Sequence, residues 1–266
     1  MNLQFNPNIF KTSHPFSAII GTFTGVIISW KFLNSVEIVL KLGFIFLLAQ
    51  FLTGFMNDFL DFDSDLQFQP LKITSRGGIT RDEIKYAIKV NILLLVVSTL
   101  ILIPFDLSLI VFLGTIVAQS YNIKLKDTPL SGIVFVISFG LMALIPYIIE
   151  NGYSDNELPV TFIISGLILA IIAHFVNDLV DYEIDIKRNS KSMVVTFGPS
   201  FSIVITVALL LFLAYLQNNV IILGIILTVI GIVIGGIKNS SYKIRELVYY
   251  FVALLSLLIL LILPVE

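Results

Sequence analysis

The chain has no cysteine, which excludes a disulfide framework, a thiolate metal site and a cysteine nucleophile. Charge is scarce as well: Asp, Glu, Lys and Arg make up 13% of the 266 residues, where a soluble domain usually carries about 25%. What fills the gap is apolar, with 57% hydrophobic residues and a mean hydropathy of +1.00. These values exclude an ordinary soluble domain and place the chain among polytopic membrane proteins. The net charge of −2 says little by itself, and no nucleic-acid partner is expected. The positions of the charges say more.

A bilayer core needs about 20 mostly apolar residues per helix. Nine runs qualify, at about 15–33, 38–56, 86–104, 106–120, 130–149, 159–176, 198–216, 220–237 and 247–264. Pro104-Phe105-Asp106 alone separates the third from the fourth. With the N-terminus set on the cytoplasmic side, the inner segments carry Lys11; Lys72, Arg76, Arg81, Lys85 and Lys89; Lys124 and Lys126; Lys187, Arg188 and Lys191; and Lys238, Lys243 and Arg245. That is 14 of the 16 basic residues, against Lys31 and Lys41 outside. Short cytoplasmic loops collect Lys and Arg, so the alternation supports nine spans, N-terminus in and C-terminus out. The outer segment from Glu150 to Pro159 carries only Glu150, Asp155 and Glu157. The fold expected is a single all-α membrane domain over residues 1–266, a bundle of nine helices around a central cavity.

Two near-copies of an acidic phrase stand out against this background. The first is Asn57-Asp58-Phe59-Leu60-Asp61-Phe62-Asp63-Ser64-Asp65, and the second is Asn177-Asp178-Leu179-Val180-Asp181-Tyr182-Glu183-Ile184-Asp185. Each follows a long apolar run, and both fall on the cytoplasmic side of the nine-span arrangement. Ionisable groups at a membrane helix are costly and point to function. Helix positions four apart share a face, so Asn57, Asp61 and Asp65 form one stripe if the helix runs on, and Asn177, Asp181 and Asp185 a second. Each stripe offers one amide oxygen and two carboxylates. Oxygen-only ligands suit hard cations such as Mg²⁺, an ion commonly shared with phosphates. Basic residues in the same loops (Lys72 and Arg76; Lys124 and Lys126; Lys187, Arg188 and Lys191), with Tyr121, would suit a diphosphate.

Plainer explanations account for part of this. The positive-inside pattern explains most Lys and Arg residues without a ligand. His14 reads as an interfacial residue, and Phe44, Phe46, Phe51 and Phe55 read as packing. Asp61-x-Asp63-x-Asp65 opens like a calcium loop, but that loop needs Gly sixth and Glu twelfth, and here those are Leu66 and Lys72. Thr80 and Glu83 form a capping box that starts the third span, after a turn at Gly77-Gly78.

The joint pattern resembles the UbiA superfamily of intramembrane prenyltransferases, along nearly the whole chain. The family's first motif falls on Asn57, Asp58, Asp61 and Asp65, and its second on Asp178, Asp181 and Asp185. Its tyrosine–lysine element falls on Tyr121, but the lysine position is Leu125, with Lys124 and Lys126 on either side. Lys72 stands where the family has arginine, and His14-Pro15 where it often has Arg-Pro.

The resemblance implies Mg²⁺-dependent ionisation of a polyprenyl diphosphate, attack by an acceptor, and loss of diphosphate. Asp58, Asp61, Asp178 and Asp181 are the expected catalytic residues. Asn57, Asp61, Asp65, Asn177, Asp181 and Asp185 are the expected metal ligands. Lys72, Arg76, Tyr121, Lys124, Lys126 and Lys191 are the expected diphosphate ligands. Asp58, Asp178 or the diphosphate itself would take the proton. An aromatic quinone precursor, of the 4-hydroxybenzoate or dihydroxynaphthoate type, is the expected acceptor; a glycerol-phosphate ether lipid, a chlorophyllide or haem is the alternative. A cation-coupled transporter is the rival from another class, but transporter sites lie nearer the midplane.

Overall fold

The computed structural model describes residues 6–153, 158–237 and 242–265. Lys238, Asp155 and Glu157, used above to set the topology, lie outside them. Eleven α-helices follow in order: α1 (Pro15–Phe32), α2 (Val36–Leu60), α3 (Phe62–Phe68), α4 (Arg81–Leu102), α5 (Phe105–Ile123), α6 (Ser131–Asn151), α7 (Val160–Lys187), α8 (Met193–Phe197), α9 (Pro199–Gln217), α10 (Val220–Ile237) and α11 (Tyr242–Ile262). Eight of them are long and apolar enough to cross a bilayer, and the apolar stretch Val220–Ile234 of α10 adds a shorter ninth. The chain is an integral, multi-pass membrane protein.

Local chemistry sets the ends. Pro15 and Pro199 occupy the first positions of α1 and α9, where a missing N–H costs nothing. Ser35 caps α2, and Thr80 and Glu83 cap α4 reciprocally. Gly77 takes a φ of 69° in the turn before α4, which favours glycine.

Helix α2 departs from the expected continuous stripe. It ends at Leu60, and Asp61 is both its C-cap and the N-cap of α3. Helix α7 does not break: it runs through the whole second phrase to Lys187. The apolar run near 159–176 is therefore only the first part of that helix.

Helices α1, α2, α5, α6, α7 and α11 line a central cavity, and among the described residues α4, α9 and α10 contribute none to its wall. One apolar core joins α6, α7, α9, α10 and α11, and a second joins α2, α4, α5 and α6. Apolar burial does not drive helices together in lipid, so close contact and interhelical hydrogen bonds must do so. Gly25 lets the Phe46 ring lie against α1, and Gly166 does the same for Phe139 on α7. Gln217 donates to Ser165 Oγ at 2.7 Å, and Asn122 to the Thr53 carbonyl at 2.9 Å. Gly54 of α2 lies so close to the Ser13 carbonyl that a Cβ there would overlap the backbone. This seats the 3-10 segment Pro7–Ser13 against α2.

Candidate active site

The cavity has a volume of about 470 Å³. One end is polar and holds Asn57, Asp61, Asn177, Asp178, Asp181 and Asp185, with Lys72, Lys126, Arg188 and Tyr121 among them. The other end is apolar, walled by Phe139, Met142, Leu169, Leu257 and Leu260. Its wall on α11 runs from Glu246 to Leu260, which at about 1.5 Å per residue makes it roughly 21 Å deep.

The first phrase is bound up with cations. Asp58 is buried, and its Oδ1 lies 2.8 Å from His14 Nε2 and accepts from Lys72 Nζ at 2.9 Å. Asp65 is fully buried and accepts from Lys72 at 2.8 Å, Arg188 at 2.6 Å and Gln69 at 3.2 Å. Asp61 accepts from Lys126 and has Arg188 at 3.8 Å. Burial works against the charge on Lys72, but the Asp58 and Asp65 carboxylates outweigh it and hold the ammonium above its ordinary pKa.

In the second phrase Glu183 pairs outward with Arg245 at 3.1 Å, while the three aspartates meet no Lys or Arg within ion-pair distance among the described residues. Asp185 accepts one hydrogen bond, from Ser192 Oγ at 3.2 Å. The Asp181 side chain has no hydrogen bond or ion pair among the described residues, and Lys72 and Arg188 act on it only at longer range. Asp178 is buried, and its Oδ2 has no hydrogen-bond partner; the nearest base, His174 Nε2, is 3.4 Å away and bonds Ser131 Oγ at 2.9 Å. Tyr121 packs edge-on against Phe135 and His174.

The structure sorts the residues singled out from sequence. Asn57, Asp61, Asn177, Asp178, Asp181, Asp185, Lys72, Tyr121 and Lys126 share the cavity wall. The break at Asp61 turns Asp65 out of that wall and into the protein. Asp58 and Arg76 line a smaller neighbouring pocket of about 270 Å³ with Lys11, His14 and Lys72. Lys124 and Lys191 are exposed and line neither pocket. Of the two lysines beside Leu125, it is therefore Lys126 that reaches the acids.

Arg188 counts in the sequence among the bases near the second phrase but not among the expected diphosphate ligands, and His14 reads there as interfacial. Arg188 is seven residues after Asp181, two helical turns on the same face, and that spacing is the signal it carries. His14 sits at a φ of 50° directly before Pro15, and only the fold brings it to Asp58. Glu246 and Tyr249 reach the wall from α11, far from either phrase.

The donors suit a hard cation: they are carboxylate and amide oxygens, with one buried carboxylate oxygen unpaired. Among the described residues no three Asp, Glu or His side chains converge as they stand; those of the first phrase turn toward Lys72, Lys126 and Arg188.

The sequence profile of the UbiA prenyltransferase family matches residues 18–262. The chain belongs to that family. It is similar to a digeranylgeranylglyceryl phosphate synthase of Methanobrevibacter smithii, with 30% identity over 165 residues; the match takes in 59% of this chain and 57% of that protein. The chain thus spans little more than half the length of that relative. Among solved structures it is similar to a UbiA homolog from Archaeoglobus fulgidus bound to GPP and Mg²⁺, at 16% identity and a TM-score of 0.61, over 96% of this chain and 99% of that one. It is also similar to a structure concerned with digeranylgeranylglyceryl phosphate synthase in membranes, at 19% identity and a TM-score of 0.62, over 96% of this chain and 95% of that one. At these identities the structural likeness is one of fold.

Proposed function

We propose that the protein transfers a prenyl group from a prenyl diphosphate to a hydroxyl of a glyceryl phosphate lipid, forming an ether and releasing diphosphate. The observation that carries this reading is the two-ended cavity: an acid-and-cation end suited to diphosphate and an apolar shaft suited to its tail. The named relative makes a digeranylgeranylglyceryl phosphate, which favours a glyceryl phosphate acceptor. The aromatic quinone precursor expected from sequence has no such support and is set aside.

Asn57, Asp61, Asn177, Asp181 and Asp185 would hold Mg²⁺, which lowers the cost of charge building on the departing diphosphate. Asp65 braces Arg188 and Lys72 behind them. Lys72, Lys126 and Tyr121 donate to phosphate oxygens, and such charge-assisted contacts aimed at developing charge favour ionisation. Arg76 lies in the adjoining pocket, and Lys124 and Lys191 act at most at the mouth. The allylic C–O bond breaks, the acceptor oxygen bonds to the allylic carbon, and the hydroxyl proton is lost. Asp178 Oδ2 is the acceptor placed for that proton, since Asp58 is already paired with His14 and Lys72. The distribution of Lys and Arg supports the polar end on the cytoplasmic side, with the N-terminus in and the C-terminus out.

The test uses purified protein in detergent with Mg²⁺ and geranylgeranyl diphosphate. Diphosphate release that requires geranylgeranylglyceryl phosphate is expected. Release that requires 4-hydroxybenzoate instead, or no release with either, would overturn the reading.

The shaft yields a second expectation. A Cβ on Gly166 would overlap the Phe139 ring and push it into the cavity. Gly166→Ala should raise KM for geranylgeranyl diphosphate relative to dimethylallyl diphosphate by about tenfold, the low end of what one methylene decides in a tight apolar pocket. An unchanged ratio would show that the tail does not pass Phe139.

A further inference from the structure

We infer that the two acidic phrases load divalent cations in a fixed order: the second binds an ion in the absence of diphosphate, and the first binds one only after diphosphate has drawn away the cations that now cover it. This rests on the prenyl diphosphate reading above.

The two phrases match in sequence and differ in partners. Asp58, Asp61 and Asp65 face Lys72, Lys126 and Arg188 in direct ion pairs, three carboxylates against three cations. Asp178, Asp181 and Asp185 have no Lys or Arg within ion-pair distance among the described residues. The cation that the second phrase's own helix supplies, Arg188 at the C-cap of α7, reaches across to Asp65 and Asp61 instead. The result is a directly paired site beside one that feels Lys72 and Arg188 only at a distance.

A divalent ion entering this cavity meets two different costs. At the second phrase it breaks no ion pair. There it relieves repulsion among the carboxylates carried on one helix. At the first phrase it must displace an ammonium or a guanidinium. A displaced, partly buried cation without a new partner is strongly unfavourable. Diphosphate is that new partner: its oxygens accept from Lys72, Lys126 and Arg188, and Asp61 is released to the ion. Neither phrase brings three Asp, Glu or His side chains together as it stands among the described residues; what separates them is that the first phrase's carboxylates are held by Lys72, Lys126 and Arg188.

The experiment counts Mn²⁺ bound to the purified full chain in detergent, by equilibrium dialysis and electron paramagnetic resonance. It is done with and without geranylgeranyl thiolodiphosphate, whose bridging sulfur resists ionisation. One Mn²⁺ is expected without the analogue and more with it. Asp181→Asn should weaken the analogue-independent ion by about tenfold or more, while Asp61→Asn leaves it in place. Lys126→Gln and, separately, Arg188→Gln should each admit an additional ion without the analogue. Two variants guard against one failing to fold, and Asp181→Asn leaves no stranded partner. Two ions on the wild-type chain without the analogue, or equal losses in Asp61→Asn and Asp181→Asn, would overturn the order. Diphosphate release by the wild-type chain separates the two readings. Release with the wrong loading order defeats this inference alone. Correct loading without release defeats the transferase reading and leaves a cation site of unequal halves.

Discussion

Asp181→Ala is expected to lower turnover by about a thousandfold or more, with the protein still folded in detergent. A bound metal contributes several kcal/mol of charge stabilisation to a reaction of this type, and each 1.36 kcal/mol is worth about a factor of ten in rate. Asp181 faces the cavity and holds no protein partner, so its removal strands no buried cation. The stability cost should therefore be small, and the loss should lie in turnover. Asp61→Ala should reduce turnover similarly, but it also strips Lys126 of its partner. Thermal unfolding in detergent beside steady-state diphosphate release separates the two effects. Wild-type turnover in either variant would sink the assignment of the acids to catalysis.

Gly54→Ala is expected to damage stability and turnover together. A Cβ at residue 54 meets the Ser13 backbone, not the yielding end of a side chain. Overpacking of this kind typically costs about 1–3 kcal/mol. Relief by movement of the Pro7–Ser13 segment would carry His14 away from Asp58, one helical turn past Gly54, and so unsettle the Lys72 pairing. The expected result is a lower unfolding temperature and a turnover loss not recovered on cooling. A variant with wild-type values for both would show that the N-terminal segment does not position the site.

Much of this was legible in the sequence because membrane helices declare themselves by length and composition. The nine runs, the turn at Gly77, the capping box at Thr80 and Glu83, and the two acidic phrases all follow from short-range pattern. The break at Asp61 did not, since the four-residue spacing of Asn57, Asp61 and Asp65 is compatible with an unbroken helix. Nor did the length of α7: hydropathy falls at Asn177, but the helix continues because its polar residues line a cavity. Ion pairing was the least visible. Arg188 meets Asp65 across 123 positions, and no spacing rule distinguishes Lys126 from Lys124 until the chain folds.

The two halves of the site also differ in stiffness. Helix α7 carries its phrase without a break, tied to α11 within the phrase by Arg245 pairing with Glu183 at 3.1 Å. The other phrase straddles a joint between α2 and the seven-residue α3. Ions of unequal radius are therefore expected to be accommodated at the joint, with α7 as the immovable jaw of a caliper; similar affinities of Asp61→Asn for Mg²⁺ and Mn²⁺ but unequal ones in the wild-type chain would show it.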